Sequence, residues 1–172
     1  AIDDVDEDSV NSNGKTIPKY SINGSSEQFS TPNAVRYIIE NYAKQIKIEA
    51  LTMIDMGKKN ITPAVTSFVR ELTETALAKK SLSEAIPTVV EEDLITSLSN
   101  KLVCFTKKTA ELEEAVIKAN DYSEDNLAYA TYYRETVFAL MQELRAVGDS
   151  METETSSEYW PYPSYGEMLF NV

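Results

Sequence analysis

Acidic side chains are the first residues of this sequence whose type and spacing could support chemistry. Five glutamates fall in segments of helical periodicity, namely Glu111, Glu113, Glu114, Glu135 and Glu143. Facing carboxylates in helical bundles form di-metal centres, but those centres also need Glu-x-x-His motifs. The chain contains no histidine, and most of these acids fall outside the apolar positions. We therefore interpret them as a solvated face and predict no metal ligands in this chain.

The sequence also lacks the residues needed for nucleophilic catalysis and for nucleotide binding. Without histidine there is no Ser-His-Asp or Cys-His catalysis, and five scattered glycines form no phosphate loop. The single cysteine, Cys104, excludes an internal disulfide and suits a reducing compartment. Because Cys104 adjoins the apolar position Phe105, we predict a half-buried, inert thiol. The sequence predicts no catalytic and no cofactor-binding residue, so this chain alone is not expected to be active.

The last segment, residues 158–172, has an unusual composition. It contains the only tryptophan, two prolines that favour an extended chain, and several apolar side chains beyond them. One interpretation is a loose linear motif that a partner recognises in its extended form. The other is a strap docked on the protein's own helices or on a neighbouring subunit, with Trp160 as its anchor, and we expect this one. The residues expected to dock are Trp160, Pro161, Pro163, Tyr165, Leu169 and Phe170.

Two apolar seams between Leu94 and Met151 provide the framework. Their members recur at steps of four and three, broken only by the turn at residues 120–123. The first seam comprises Leu98, Leu102, Phe105, Thr109, Leu112, Val116 and Ala119, and the second Leu127, Ala130, Tyr133, Val137, Leu140, Leu144, Val147 and Met151. This spacing predicts two long helices, at about 89–120 and 124–152, packed as a coiled-coil-like antiparallel hairpin.

Two further helices are predicted upstream, at about 32–56 and 63–80. Each begins at a Thr-Pro pair, which supplies a capping hydroxyl and a proline where no N–H is needed. Gly57 is predicted to end the first helix, and the competing interpretation is one long helix kinked at Pro63. At the hairpin, Thr88 and Glu91 predict a capping box, and Ser123 is the expected N-cap of the second arm.

The predicted fold is therefore all-α: a long antiparallel hairpin, two further packed helices and an extended aromatic tail. We divide the chain into a flexible acidic and polar lead (1–30), a helical domain (31–157) and an aromatic and proline-rich tail (158–172). The net charge of −12 argues against nucleic-acid and anionic-membrane partners. No apolar run approaches the roughly 20 residues needed to span a bilayer. These features predict a cytoplasmic protein.

Four tyrosines cluster around the hairpin turn, at positions 122, 129, 132 and 133. Packing at the hairpin tip, with the hydroxyls in water, is the interpretation we favour. A contact patch for a partner is the alternative, because tyrosine is enriched in interface cores.

Two stretches carry a resemblance to a known family. The tail pattern of Trp160-Pro161, a second proline, a tyrosine and then Leu-Phe resembles the closing signature of type III glutamine synthetases. The run of residues 42–50, ending Ile-Glu-Ala, is followed by Ile54-Asp55-Met56 and Ile61-Thr62-Pro63-Ala64. That succession is similar to a helical region of the same family. The similarity extends from about residue 29 to the end.

The resemblance implies part of a ligase that joins ammonia to glutamate. The family uses ATP and divalent metals (Mg or Mn), forms a γ-glutamyl phosphate and works as a large ring-shaped oligomer. Its metal and nucleotide contacts lie in a preceding catalytic barrel, so the resemblance places none of them here. It implies a C-terminal helical fragment that supports assembly or the catalytic domain, with that domain and neighbouring subunits as partners. An independent coiled-coil interaction module with a proline-aromatic tail remains the alternative.

Whether the chain is an excised fragment or a free-standing relative stays open, although we favour the fragment.

Overall fold

The computed structural model describes residues 31–163, and within that range the chain is helical with no β-strand. The predicted lead (1–30) and the last nine residues (164–172) lie outside the described part. Residues 31–35 belong to an N-terminal unit, 1–35. The helices pack together within residues 36–163.

The first helical rod covers residues 31–82. Its parts are α1 (Thr31–Met56), a π-helical turn (Gly57–Ile61) and α2 (Thr62–Leu82). The Thr62 N–H donates to the Gly57 carbonyl, five residues back, which is the hydrogen bond of a π-turn. Pro63, which has no N–H to donate, follows directly. The wider turn carries the helix past this proline, so the expectation that Gly57 ends the helix is wrong.

Gly57 has a packing role. It is buried, and a Cβ atom at this position would lie 3.2 Å from the ring of Phe105 on the next helix. That separation is shorter than nearly all real contacts of a Cβ atom. The missing side chain therefore permits the close approach of two helices and does not provide a left-handed helix end.

Two more rods complete the described part. The second is α3 (Val89–Lys118), followed by a 3₁₀ turn (Ala119–Tyr122). The third consists of α4 (Asn126–Tyr132), a second π-turn (Tyr133–Val137) and α5 (Phe138–Glu152). Neither proline nor glycine occurs in the second π-turn, so the sequence gives no local signal for it.

Both expected caps of the hairpin differ from the structure. The carboxylate of Asp125, not Ser123, caps α4 by accepting hydrogen bonds from two backbone N–H groups at 2.9 and 3.2 Å. Thr88 precedes α3 without a side-chain cap, and its hydroxyl donates instead to Glu92 at 2.7 Å. Glu91 forms an ion pair with Lys79 of α2. A local Thr88–Glu92 hydrogen bond and a Glu91–Lys79 ion pair to the first rod thus replace the expected capping box.

Polar contacts show the relative directions of α3 and the third rod. Ser97 bonds to Glu154 at 2.8 Å, Lys101 to the Ser150 carbonyl at 2.9 Å, and Lys108 to Glu143 at 2.6 Å. As the residue number increases along α3, the residue number of the contacted partner decreases. The two rods therefore run antiparallel.

The first rod runs against α3 and alongside the third rod. Lys58 of the π-turn pairs with Glu113 at 2.6 Å, and Lys79 near the end of α2 pairs with Glu91, which gives the antiparallel order. Near the other end, Asn126 of α4 donates to Glu40 of α1 at 2.7 Å.

A single core joins the three rods. Its buried side chains come from α1 and α2 as well as from both predicted seams: Ala43, Ile46, Ala50, Ile54, Val65, Leu98, Phe105, Leu112, Ala115, Val116, Ala119, Ala130, Tyr133, Val137, Met141, Leu144 and Met151. Leu127 is the exception among the seam positions, because 64% of its surface is exposed. The apolar spacing therefore predicts most of the core but not the start of α4.

Replacing Leu112 by Ala tests this core. Leu112 is fully buried, so its truncation should lower the free energy of unfolding by about 2–5 kcal/mol. Leu140 is only partly buried and should lose less. Leu127→Ala is the matched control and should change stability by under about 0.5 kcal/mol. Chemical denaturation of the three variants measures this, and equal losses at Leu112 and Leu127 would contradict the packing.

Two glycines on different rods provide a second test. A Cβ at Gly148 of α5 would lie 3.6 Å from Phe105, an ordinary contact. Gly148→Ala should therefore stabilise the helix by about 0.5–1 kcal/mol. Gly57→Ala should instead destabilise the protein, because the methyl group presses on a buried ring. Equal stabilisation of both variants in thermal unfolding would show that Phe105 moves freely.

Candidate functional site

The five glutamates do not assemble into one cluster. Glu111 and Glu143 both accept hydrogen bonds from Lys108, at 3.0 and 2.6 Å, and Glu113 pairs with Lys58. Glu143 first, and then Glu111, raise the pKa of Lys108. Within residues 31–163, no three His, Cys, Asp or Glu side chains gather closely enough to hold a metal ion. The acids that make these pairs act here as ion-pair partners between and along helices.

Cys104 is exposed, so the expectation of a half-buried thiol is wrong. It precedes Phe105 by one residue, and one residue rotates a helix position by about 100°. The core faces Phe105 and therefore not Cys104.

The tyrosine cluster forms two pairs near the tip. Tyr122 stacks on Tyr132 with ring centroids 4.7 Å apart, and Tyr129 meets Tyr133 edge to face at 4.9 Å. Tyr133 is fully buried, and burial raises its pKa. These contacts agree with tip packing, the favoured interpretation. The expectation that the hydroxyls lie in water is wrong for Tyr133, whose buried hydroxyl accepts a hydrogen bond from that of Tyr129 at 3.5 Å.

The described part of the tail reverses direction after α5. Thr155 is buried, and its hydroxyl bonds to the Met151 carbonyl at 2.8 Å. The Tyr159 and Trp160 N–H groups both donate to the Ser156 carbonyl, at 2.9 and 3.0 Å. This turn brings the following residues back toward the first rod.

Two aromatic residues of the tail contact the rest of the described fold. The ring of Tyr159 lies 5.5 Å from that of Phe68 on α2, and its hydrogen bond to Glu71 raises the Tyr159 pKa. Trp160 is partly buried and packs against the core. Pro161 and Pro163 are exposed. The other residues expected to dock, Tyr165, Leu169 and Phe170, lie outside the described part.

A cavity of about 280 Å³ lies beside Trp160, and we call it the Trp160 cavity. Its walls are mostly apolar, with one arginine and two acids at the polar side. They comprise Met53, Met56, Ile61, Phe105, Leu144, Arg145, Gly148, Asp149, Glu152, Trp160, Tyr162 and Pro163. The π-turn and the tail thus meet at the same place.

Tyr162 has an unusual environment in this cavity. Its hydroxyl oxygen is buried and forms no hydrogen bond within the described residues. Burial raises its pKa, and Asp55 adds to the effect. A buried, unpartnered hydroxyl is rare in folded proteins. Sequence reasoning missed Tyr162 because its position between two prolines gives no sign that the chain turns inward.

Two further concave sites, which together form a second region, lie on the surface between α1 and the third rod. One end is lined by Ile38, Tyr42 and Leu127, and the other by Ile48 and Phe138, with cavities of about 370 and 450 Å³. All five side chains are at least 40% exposed. We call this region the apolar groove. Within the described part, no helix is long and apolar enough to cross a membrane.

The helical fold and its tail can now be compared with known proteins. Residues 29–80 match the family model described as "Glutamine synthetase C-terminal domain". The chain is 36% identical to a glutamine synthetase of Butyrivibrio fibrisolvens over 135 residues, which is 78% of this chain and 19% of that protein. It is also similar to a type-3 glutamine synthetase of Dictyostelium discoideum, at 26% identity over 77% of this chain and 18% of the relative.

A glutamine synthetase of Bacteroides fragilis is 29% identical over 77% of the chain and 18% of the relative. The chain thus spans about a fifth of the length of the curated relatives it matches. These findings support a glutamine synthetase C-terminal region.

An ion-pair network just after α5 gives a pH-dependent prediction. Glu154 accepts hydrogen bonds from Lys101 and Ser97, both at 2.8 Å, and these bonds lower its pKa. A carboxylate whose pKa is lowered by folding stabilises the fold above its unfolded-state pKa. That stabilisation disappears as the pH falls through the folded-state pKa.

Glu154→Gln should therefore reduce the free energy of unfolding by roughly 0.5–1 kcal/mol at pH 7. The difference from the parent should vanish at acid pH, below the lowered pKa of Glu154. Glu74→Gln removes an exposed pair with Arg70, 3.7 Å long, and should have no measurable effect. Denaturation curves at several pH values test this, and a pH-independent loss in Glu154→Gln would contradict it.

Proposed function

We propose that this chain is the C-terminal helical region of a type III glutamine synthetase, an ATP-dependent glutamate–ammonia ligase, and that it supports assembly or the catalytic domain without itself being catalytic. The match of residues 29–80 to the C-terminal domain model is the observation that carries the proposal. The relative named a type-3 enzyme supports the subgroup.

The described side chains do not suit the cofactors that this enzyme class implies. ATP and Mg or Mn need a phosphate cradle and a set of carboxylate or histidine ligands. The sequence has no histidine, and the acids of the described part are dispersed along the rods, several of them in pairs with lysine. We therefore assign no metal or nucleotide contact to residues 31–163.

The apolar groove supports a role in contacting a larger body. Contiguous apolar side chains on a protein surface mark interaction sites, and Ile48 and Leu127 are 66% and 64% exposed. The matched relatives are about five times longer than the aligned segment. We assign the groove to the catalytic part of the same polypeptide, with neighbouring subunits as further partners of the assembled enzyme.

The hairpin would supply the rigid support. The antiparallel packing of α3 against the third rod is held by a buried seam and by three cross-rod polar contacts. Such a pair of rods keeps the groove in a fixed shape because α4 and α5 form one of its walls. The contacts of Tyr159 and Trp160 with these helices favour this role over an independent module that presents a free linear motif.

The first test is the reading frame that contains this chain. It should encode a glutamine synthetase catalytic domain upstream, and the full-length product should form glutamine with ATP. The purified chain of 172 residues should form none. Glutamine formation by this chain alone, or a reading frame without the catalytic domain, would refute the proposal.

Leu127→Ser in that full-length protein tests the groove. It places a hydroxyl in the proposed contact with the catalytic part, so the assembled oligomer should dissociate more readily and activity should fall with it. Leu82→Ser is the control, since Leu82 is exposed and does not line the groove. Sedimentation and activity assays at several protein concentrations measure both. Identical behaviour of the two variants would contradict the assignment.

A further inference from the structure

The Trp160 cavity is large enough for side chains. Its volume of about 280 Å³ is roughly twice that of an apolar cavity that admits one benzene molecule. Methionine, isoleucine, leucine and aromatic side chains form most of its wall. A site of this size and polarity would accept about two large apolar side chains.

One residue of the cavity wall, Tyr162, carries a polar group. The buried Tyr162 hydroxyl has no hydrogen-bond partner within the described residues, although buried hydroxyl groups are nearly always paired. An occupant that brings a hydrogen-bond acceptor, such as a backbone carbonyl, would satisfy it. Peptide chains carry one acceptor at every residue.

The chain itself leads to the cavity. Pro163, the last described residue, forms part of the wall. The nine residues that follow, 164–172, include Tyr165, Met168, Leu169 and Phe170. Five residues beyond Pro163 span at most about 17 Å, so Met168 cannot lie far from the opening. This segment supplies apolar side chains and backbone acceptors at high effective concentration.

We propose that residues 164–172 occupy the Trp160 cavity of their own chain, with apolar side chains of residues 168–170 against Phe105 and Trp160 and a backbone carbonyl accepting from Tyr162. The π-turn of the first rod contributes to this site, because its last residue, Ile61, and Met56 just before it line the wall. The cavity and its occupant belong to one chain, so this docking does not depend on the proposed function.

Trp160 fluorescence reports occupancy, because it is the only tryptophan. A chain that ends at Pro163 should show red-shifted emission and several-fold greater quenching by acrylamide than the full chain. Circular dichroism should confirm that its helix content is retained. A peptide of residues 164–172, added to the shortened chain, should restore protection, whereas a scrambled peptide should not. Unchanged quenching after truncation would overturn the proposal.

Tyr162→Phe separates this proposal from simple packing of the tail. In the full chain the variant should lower Tm, because an acceptor then loses its donor. In the chain ending at Pro163 it should leave Tm unchanged or raise it, since it removes an unpartnered hydroxyl. Tyr159→Phe is the control and should act equally in both chains, since its partner is Glu71. Equal effects of Tyr162→Phe in the two chains would overturn the proposal.

Two other occupants give different results. A tail from a second copy would make the protection of Trp160 depend on protein concentration, and nuclear Overhauser effects between Phe170 and Trp160 would appear only between differently labelled chains. A small apolar ligand would protect Trp160 equally with and without residues 164–172. Either result would overturn the proposal, whereas contacts within one chain at all concentrations would support it.

Discussion

The close approach of three helical rods around one aromatic ring is the constraint on which the described fold depends. Phe105 of α3 is 2% exposed and lies against two glycines, Gly57 of the first rod and Gly148 of the third. A side chain at Gly57 would press on the ring, and the contact at Gly148 is only slightly looser. The first rod and α3 therefore meet closely at this level because Gly57 offers no Cβ atom, whereas the spacing at Gly148 would leave room for one. The same ring also forms one wall of the Trp160 cavity, so the core and the tail site share it.

Residue spacing predicts the buried faces of the rods well. A repeat of four and three residues keeps apolar side chains on one side of a helix, and Leu98, Leu112 and Leu144 are buried as that spacing requires. Leu127 is the exception to this spacing. It lies in the first turn of α4 and lines the apolar groove, which no other described element covers. The pattern identifies an apolar face, but it does not identify which neighbour, if any, lies against it.

The role of Gly57 and the cavity could not be predicted from local sequence. A glycine before a polar stretch signals a helix end as readily as a close contact, and only the position of Phe105 decides between them. The cavity depends on the turn after α5, which brings Trp160 and Tyr162 across the first rod. Such contacts join residues far apart in the chain, and periodicity contains no information about them. Composition identified the unusual tail but not the buried hydroxyl of Tyr162.

The π-turn at Gly57–Ile61 affects how the length of the first rod can vary. A π-turn accommodates one residue more than an α-turn while the helices on both sides keep their rotational phase. Loss of one residue there would leave α1 and α2 facing the same neighbours, but Pro63 would then lie inside a regular α-helix and clash with a preceding carbonyl. Loss or gain of two residues would rotate α2 by about 100–200° and move Val65 away from the core. The number of residues between Ala50 and Val65 is thus restricted by helix phase, whereas the loop from Ser83 to Thr88 is under no such restriction.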